Sequence, residues 1–146
     1  MIKPFSHYLK QNLVRKSWPN ISMAKSLINK ASVKLQRIKK GSMHEEESSI
    51  IFEDIYESLR EASQSLMELK GFKPYSHEAL VSFLKENKML PLEQVSIIDN
   101  YRIVRNNSVY KAERVSLEKC KEALVFAIKV LPQIKKRFED LAIEQR

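Results

Sequence analysis

From Ile21 the chain settles into a regular alternation of apolar and polar positions. Ile21, Ala24, Ile28, Ala31, Leu35 and Ile38 recur at spacings of three and four, which lays one narrow apolar stripe along a helix. Lys30, Lys34 and Arg37 fall away from that stripe. Ser17 followed by Pro19 reads as the start, because proline is tolerated in a first helical turn. A second series, Ile51, Ile55, Leu59, Ala62, Leu66 and Leu69, predicts a longer helix with a continuous inward face. Ser42-Met-His-Glu45 has capping-box spacing ahead of it, and the acidic run Glu45–Glu47 suits the positive end of a helix dipole. Ser76 caps a shorter helix through Ala79, Leu80, Phe83 and Leu84. Pro91 opens another with Val95, Ile98 and Tyr101 inward, which fades near Asn106 and Asn107. Ser116 caps a last helix carrying Leu117, Leu124, Ile128 and Leu131, and Pro132 should kink or divide it.

Ahead of these, Phe5, Tyr8, Leu9 and Leu13 have a spacing that supports a short helix within an N-terminal extension, residues 1–16. Only two glycines occur, Gly41 and Gly71, and each follows a lysine at the end of a periodic segment, where a left-handed helix cap is favoured. No strand alternation or tight hairpin signal breaks the pattern. The expected class is all-α: an antiparallel up-and-down four-helix bundle over residues 17–146 with one additional short helix.

Composition narrows this reading. At 146 residues and 43% apolar, the chain is long enough for one real core and short for two. No apolar run approaches the roughly 18 residues needed to span a bilayer. A single cysteine, Cys120, excludes an intramolecular disulfide framework and suits a reducing, cytoplasmic setting. The net charge of +8 is unevenly spread. Residues 1–44 hold ten Lys and Arg with no acid, whereas the remainder holds sixteen basic and eighteen acidic residues. Such a block attracts polyanions, RNA or an anionic surface, unless acidic neighbours such as Glu45–Glu47 balance it in space. An acid-free, basic, serine-containing start is also what a mitochondrial transit peptide looks like, but lysines outnumber arginines and the core-like periodicity argues for a folded segment.

Candidate chemistry is sparse. No Gly-rich phosphate loop, paired-cysteine site or His-Glu-x-x-His pattern is present, and His7, His44 and His77 share no ligand spacing, so neither a metal nor another cofactor is expected. The segment that stands out is Asp99-Asn-Tyr-Arg-Ile-Val-Arg-Asn-Asn-Ser-Val-Tyr110. It gathers Arg102, Arg105, Asn106, Asn107 and Tyr110 around the end of the fourth main segment. Arginine holds a phosphate bidentately, asparagine donates and accepts, and tyrosine offers a ring and a hydroxyl, so the segment is a candidate nucleotide or RNA site. The competing assignment is a helix C-terminus in which arginines meet the dipole and asparagines make the turn.

Several of these elements, taken in order, resemble one known family. Ile55 to Gly71 as a long helix, then Pro74-Tyr-Ser-His77, then Arg105-Asn106 with Tyr110, then Val115-Ser116 opening a helix with Ala123 and Ala127, together resemble a HEPN domain (higher eukaryotes and prokaryotes nucleotide-binding) from about Ile21 to Phe138. The resemblance implies a nucleotide- or RNA-binding helical domain. Many such proteins are metal-independent endoribonucleases of toxin–antitoxin type with an Arg-x(4–6)-His motif. It further implies Arg105, Asn106 and Tyr110 as catalytic residues, Arg102 and Asn107 beside them in binding, a homodimer, and a small nucleotidyltransferase as antitoxin partner. Tyr110 stands at the histidine position, and a phenol, with an ordinary pKa of about 10, is a poor base at neutral pH. Lys30, Lys34 and Arg37 would extend the RNA surface. The alternative is a non-catalytic helical module that pairs with a nucleotidyltransferase or another protein.

Overall fold

The structure, a computed structural model, describes residues 1–145. It is mostly helical: α1 (Phe5–Lys10), α2 (Ile21–Lys40), α3 (Ser48–Leu69), α4 (His77–Glu86), α5 (Leu92–Lys111) and α6 (Leu117–Glu144), with a one-turn 3-10 helix at Glu45–Glu47. Two short strands, β1 (Val14–Lys16) and β2 (Phe72–Pro74), pair antiparallel with Val14 opposite Pro74 and Lys16 opposite Phe72. The expectation of no strand therefore fails here. Three residues are too few for alternation to register as a pattern, and the pairing is made by segments nearly sixty positions apart.

Helix α3 is the axis of the core. It contacts α2, α4, α5, α6 and β2, and so buries far more than the single face its periodicity announced. Ser58, Glu61, Ser63, Ser65 and Glu68 are buried along with Phe52, Ile55, Leu59, Ala62, Leu66 and Leu69. Buried hydroxyls need partners. Ser58 Oγ donates to the Ala31 carbonyl of α2 at 2.8 Å, and Ser63 and Ser65 donate to carbonyls within α3. Fully buried Ala24 and Ala31 on α2 and Ala123 and Ala127 on α6 are small side chains that permit close helix approach.

Several helix ends differ from expectation. Asn20, not Ser17, caps α2 by accepting from the Met23 amide at 3.0 Å, while the Ser17 amide donates to the Gly71 carbonyl. The Ser42 hydroxyl lies 3.2 Å from His44 Nε2 and caps nothing, so α3 starts at Ser48 after the 3-10 turn. There Ser48 Oγ donates to the Val115 carbonyl and Ser49 Oγ accepts from the Val115 amide, tying the start of α3 to the approach to α6. Gly71 is left-handed at φ +82°, as its position suggested, but Gly41 is extended at φ −79°. Ser76 and Ser116 do cap α4 and α6. Helix α5 runs on through Asn106 and Asn107 to Lys111, and α6 continues through Pro132. Residues 1–16 are folded onto the rest: Phe5, Tyr8 and Val14 are buried, and Phe5 stacks edge-on with Phe72 at 5.2 Å.

Candidate anion and nucleic-acid site

The last three turns of α5 present Arg102, Arg105, Asn106 and Tyr110 to a cleft of about 310 Å³, because positions three and four apart share a helix face. The opposite wall is the N-terminus of α4: Tyr75, Ser76, His77 and Glu78. The start of α4 brings the positive end of a helix dipole to the cleft, and Ser76 fixes that start by accepting from the Glu78 and Ala79 amides. His77, whose approach to the arginines was beyond the reach of one-dimensional pattern, is thus a wall residue of the same cleft.

Electrostatics distinguish the two arginines. Arg102 is held by Asp99 at 2.8 Å and Glu78 at 3.6 Å. Arg105 forms no ion pair among the described residues; its Nη1 donates to Asn106 Oδ1 at 3.1 Å and its guanidinium carbon lies 5.9 Å from the Tyr110 ring centre. Beneath them His77 Nδ1 lies 3.2 Å from Tyr56 Oη, and the two rings are 5.8 Å apart. Burial, then Arg60 and Arg105, push the His77 imidazole down to about 4, so it is neutral at pH 7. Burial pushes the Tyr56 phenol far above its ordinary range. Burial also opposes ionisation of Glu57, but Arg60 outweighs it through hydrogen bonding and charge and holds Glu57 below its usual value. The cleft therefore offers one unpaired guanidinium, one paired guanidinium, a neutral imidazole and two exposed phenol rings, Tyr75 and Tyr110. That set suits a phosphate group with a base stacked nearby.

The other candidate residues lie elsewhere. Asn107 does not line the cleft; its carbonyl accepts from the Ala112 and Glu113 amides where α5 ends. Lys30 and Lys34 reach across to buried Glu61 on α3, at 3.3 and 2.5 Å. Lys34 and Arg37 line a separate hollow between the end of α2 and the start of α3, together with Glu47 and Asp54. Two lysines of the basic block are thus answered by Glu61 on α3, whereas of the Glu45–Glu47 run Glu47 lines the hollow with Lys34 and Arg37 and Glu45 pairs with Arg114. Tyr75, Glu78 and Tyr56 are the residues that the sequence left out of the site, and His77 is one that it offered as a base without placing it there. The order Pro74-Tyr-Ser-His77 marked the segment of the α4 wall without saying what it faced.

Among the described residues no three His, Cys, Asp or Glu side chains gather as a metal-binding group, and no helix is long and apolar enough to cross a membrane. Comparison with protein-family models, with curated proteins and with solved structures yields no match to this chain.

Proposed function

We propose that this chain is a HEPN-like RNA-binding protein that holds a phosphodiester in the cleft between α4 and α5. The observation that carries the reading is Arg105, a guanidinium with no carboxylate partner among the described residues, in a cleft shared with Arg102, His77, Asn106 and Tyr110. A part-buried cation without an anion is a site that lacks its counter-ion, and a phosphate oxygen pair matches its fork. Tyr75 and Tyr110 offer rings to unstacked bases. Asn106 holds the Arg105 fork in place, and Tyr110 stacks and positions rather than accepting a proton. In this reading α2, α3, α5 and α6 form the antiparallel four-helix bundle of that family, supported by the packing of the other three helices on α3. The reading also makes the chain a homodimer.

Fluorescence anisotropy with a labelled single-stranded RNA tests it. Arg105→Ala should weaken binding by about tenfold and lower the slope of log affinity against log salt by about one. Unchanged affinity would remove the cleft from RNA binding. Sedimentation velocity tests the dimer.

A second reading, a non-catalytic module for a nucleotidyltransferase or another protein, is favoured by one feature. Between α5 and α6 lies a groove of about 660 Å³ lined by Ile97, Tyr101 and Phe126, with exposed Val125 among its walls. If that is the working surface, Val125→Glu abolishes pairing with the partner and Arg105→Ala does not.

A further inference from the structure

His77 is the feature of the cleft that RNA binding alone does not use. Its ring is held from behind by Tyr56, which is buried on α3, and Nδ1 is occupied by that contact. Nε2 has no protein hydrogen-bond partner among the described residues, and the residue lines the cleft alongside both arginines. A base oriented by a third group, beside cations that can hold a phosphate, is the arrangement that 2′-hydroxyl transesterification needs. The motif on α5 lacks such a base, since it carries Tyr110. The fold brings one from α4.

We propose that His77 is the general base of this cleft, taking the proton of an RNA ribose 2′-hydroxyl while Arg102 and Arg105 hold the adjacent phosphate and Tyr56 orients the ring. This rests on the reading of the cleft as an RNA site. The 2′-oxygen attacks phosphorus as its proton passes to Nε2. The O2′–P bond forms, the P–O5′ bond breaks, and a 2′,3′-cyclic phosphate results. The departing 5′-oxygen takes a proton from water, and the hydroxide so formed recovers the proton from the imidazolium. For Nε2 to be the acceptor, Nδ1–H must donate to Tyr56 Oη, and Tyr56, un-ionised at every working pH, keeps its oxygen available for that bond.

The groups that face His77 are Tyr56, Glu57 and Arg60 from α3, Arg102 and Arg105 from α5, and Glu78 beside it on α4. Burial and the arginines keep the free ring unprotonated down to about pH 4. A bound phosphodiester offsets the charge of Arg105, which has no ion-pair partner among the described residues, and raises the basicity of His77 towards the range where a base works best. Because kcat/KM reports the free enzyme, its acid limb should fall near pH 4 to 5, below the 6.5 of an ordinary histidine.

The test uses the full chain with a fluorescent single-stranded RNA and the DNA of the same sequence. Wild type should bind both and cut only the RNA, leaving 2′,3′-cyclic phosphate ends, with kcat/KM flat from pH 8 to about 5. His77→Gln, and His77→Asn as a second variant, should lower kcat by about a hundredfold with KM changed by less than about fivefold; Tyr56→Phe should lower kcat by about tenfold at unchanged KM. Circular dichroism at pH 7 confirms that each variant is folded. Cleavage by His77→Gln at the wild-type rate, or an acid limb at 6.5 or above, overturns the role of His77 and leaves the RNA site standing. Binding of RNA without cleavage by wild type does the same. Failure to bind either strand overturns the RNA site and, with it, the proposal.

Discussion

A neutral histidine pressed between a buried phenol and two guanidinium groups carries a stability signature of its own. The unfolded chain takes up a proton on His77 near pH 6.5, whereas the folded chain resists doing so until about pH 4. Between those values the unfolded state binds more protons, so stability falls as the pH is lowered through that window. Between pH 7 and pH 5 the loss from this one group is up to about 2 kcal/mol, reduced by the ring's partial exposure. Urea titrations at the two pH values should show a smaller drop for His77→Gln than for wild type. The lysines of α2 are a second contrast on this scale. Lys34 is 24% exposed and Lys30 68%, yet both serve the same buried Glu61. Lys34→Ala should cost about 1–3 kcal/mol and Lys30→Ala less than about 1, measured by chemical denaturation, because only the first leaves a buried carboxylate poorly paired.

On the scale of elements, the two glycines separate cleanly although their sequence contexts look alike. Gly71 has φ +82°, and an added Cβ would sit 2.6 Å from the Ser17 carbonyl oxygen and 3.3 Å from Pro19 N. There the end of α3 meets the entry to α2. Gly41 is extended, and its nearest contact would be 3.4 Å. Gly71→Ala should therefore destabilise by about 2–4 kcal/mol and Gly41→Ala change stability by no more than about 1, a difference that thermal melts resolve. The helix starts at Ser76 and Ser116 were legible in sequence because a cap is a local bond between a side chain and amides two or three residues on. The starts of α2 and α3 were not. The Ser17 amide donates to the Gly71 carbonyl, and the Ser48 and Ser49 hydroxyls bond to Val115, partners that lie more than fifty positions away in the chain.

For the molecule as a whole, the first sixteen residues decide whether α4 has a floor. Phe5 meets Phe72 and Phe83, β1 pairs with β2, and Tyr8 Oη reaches Glu78 at the rim of the cleft. The Phe5 amide also donates to Glu86 at the far end of α4. Removing residues 1–16 should lower the melting temperature by ten degrees or more, on the order of 4 kcal/mol for the buried rings alone, and should impair RNA binding with Arg105 intact. Circular dichroism and anisotropy on the truncated chain check both.

Apolar spacing at three and four determined the helical class, the existence of the five longer helices and most of the core, because helix periodicity is a property of neighbouring residues. Arg102, Arg105, Asn106 and Tyr110 were legible as a group for the same reason: they share one face of one helix. What those residues face was decided in three dimensions. His77 stands twenty-eight positions before Arg105 and its segment carries no pattern that points there; only the seating of α4 and α5 against α3 closes the cleft. Part of the basic first third likewise changed meaning, because Glu61, one of five acids on α3, is buried beneath Lys30 and Lys34. Local chemistry and periodicity are written along the chain, whereas the partner of a buried charge depends on which faces meet.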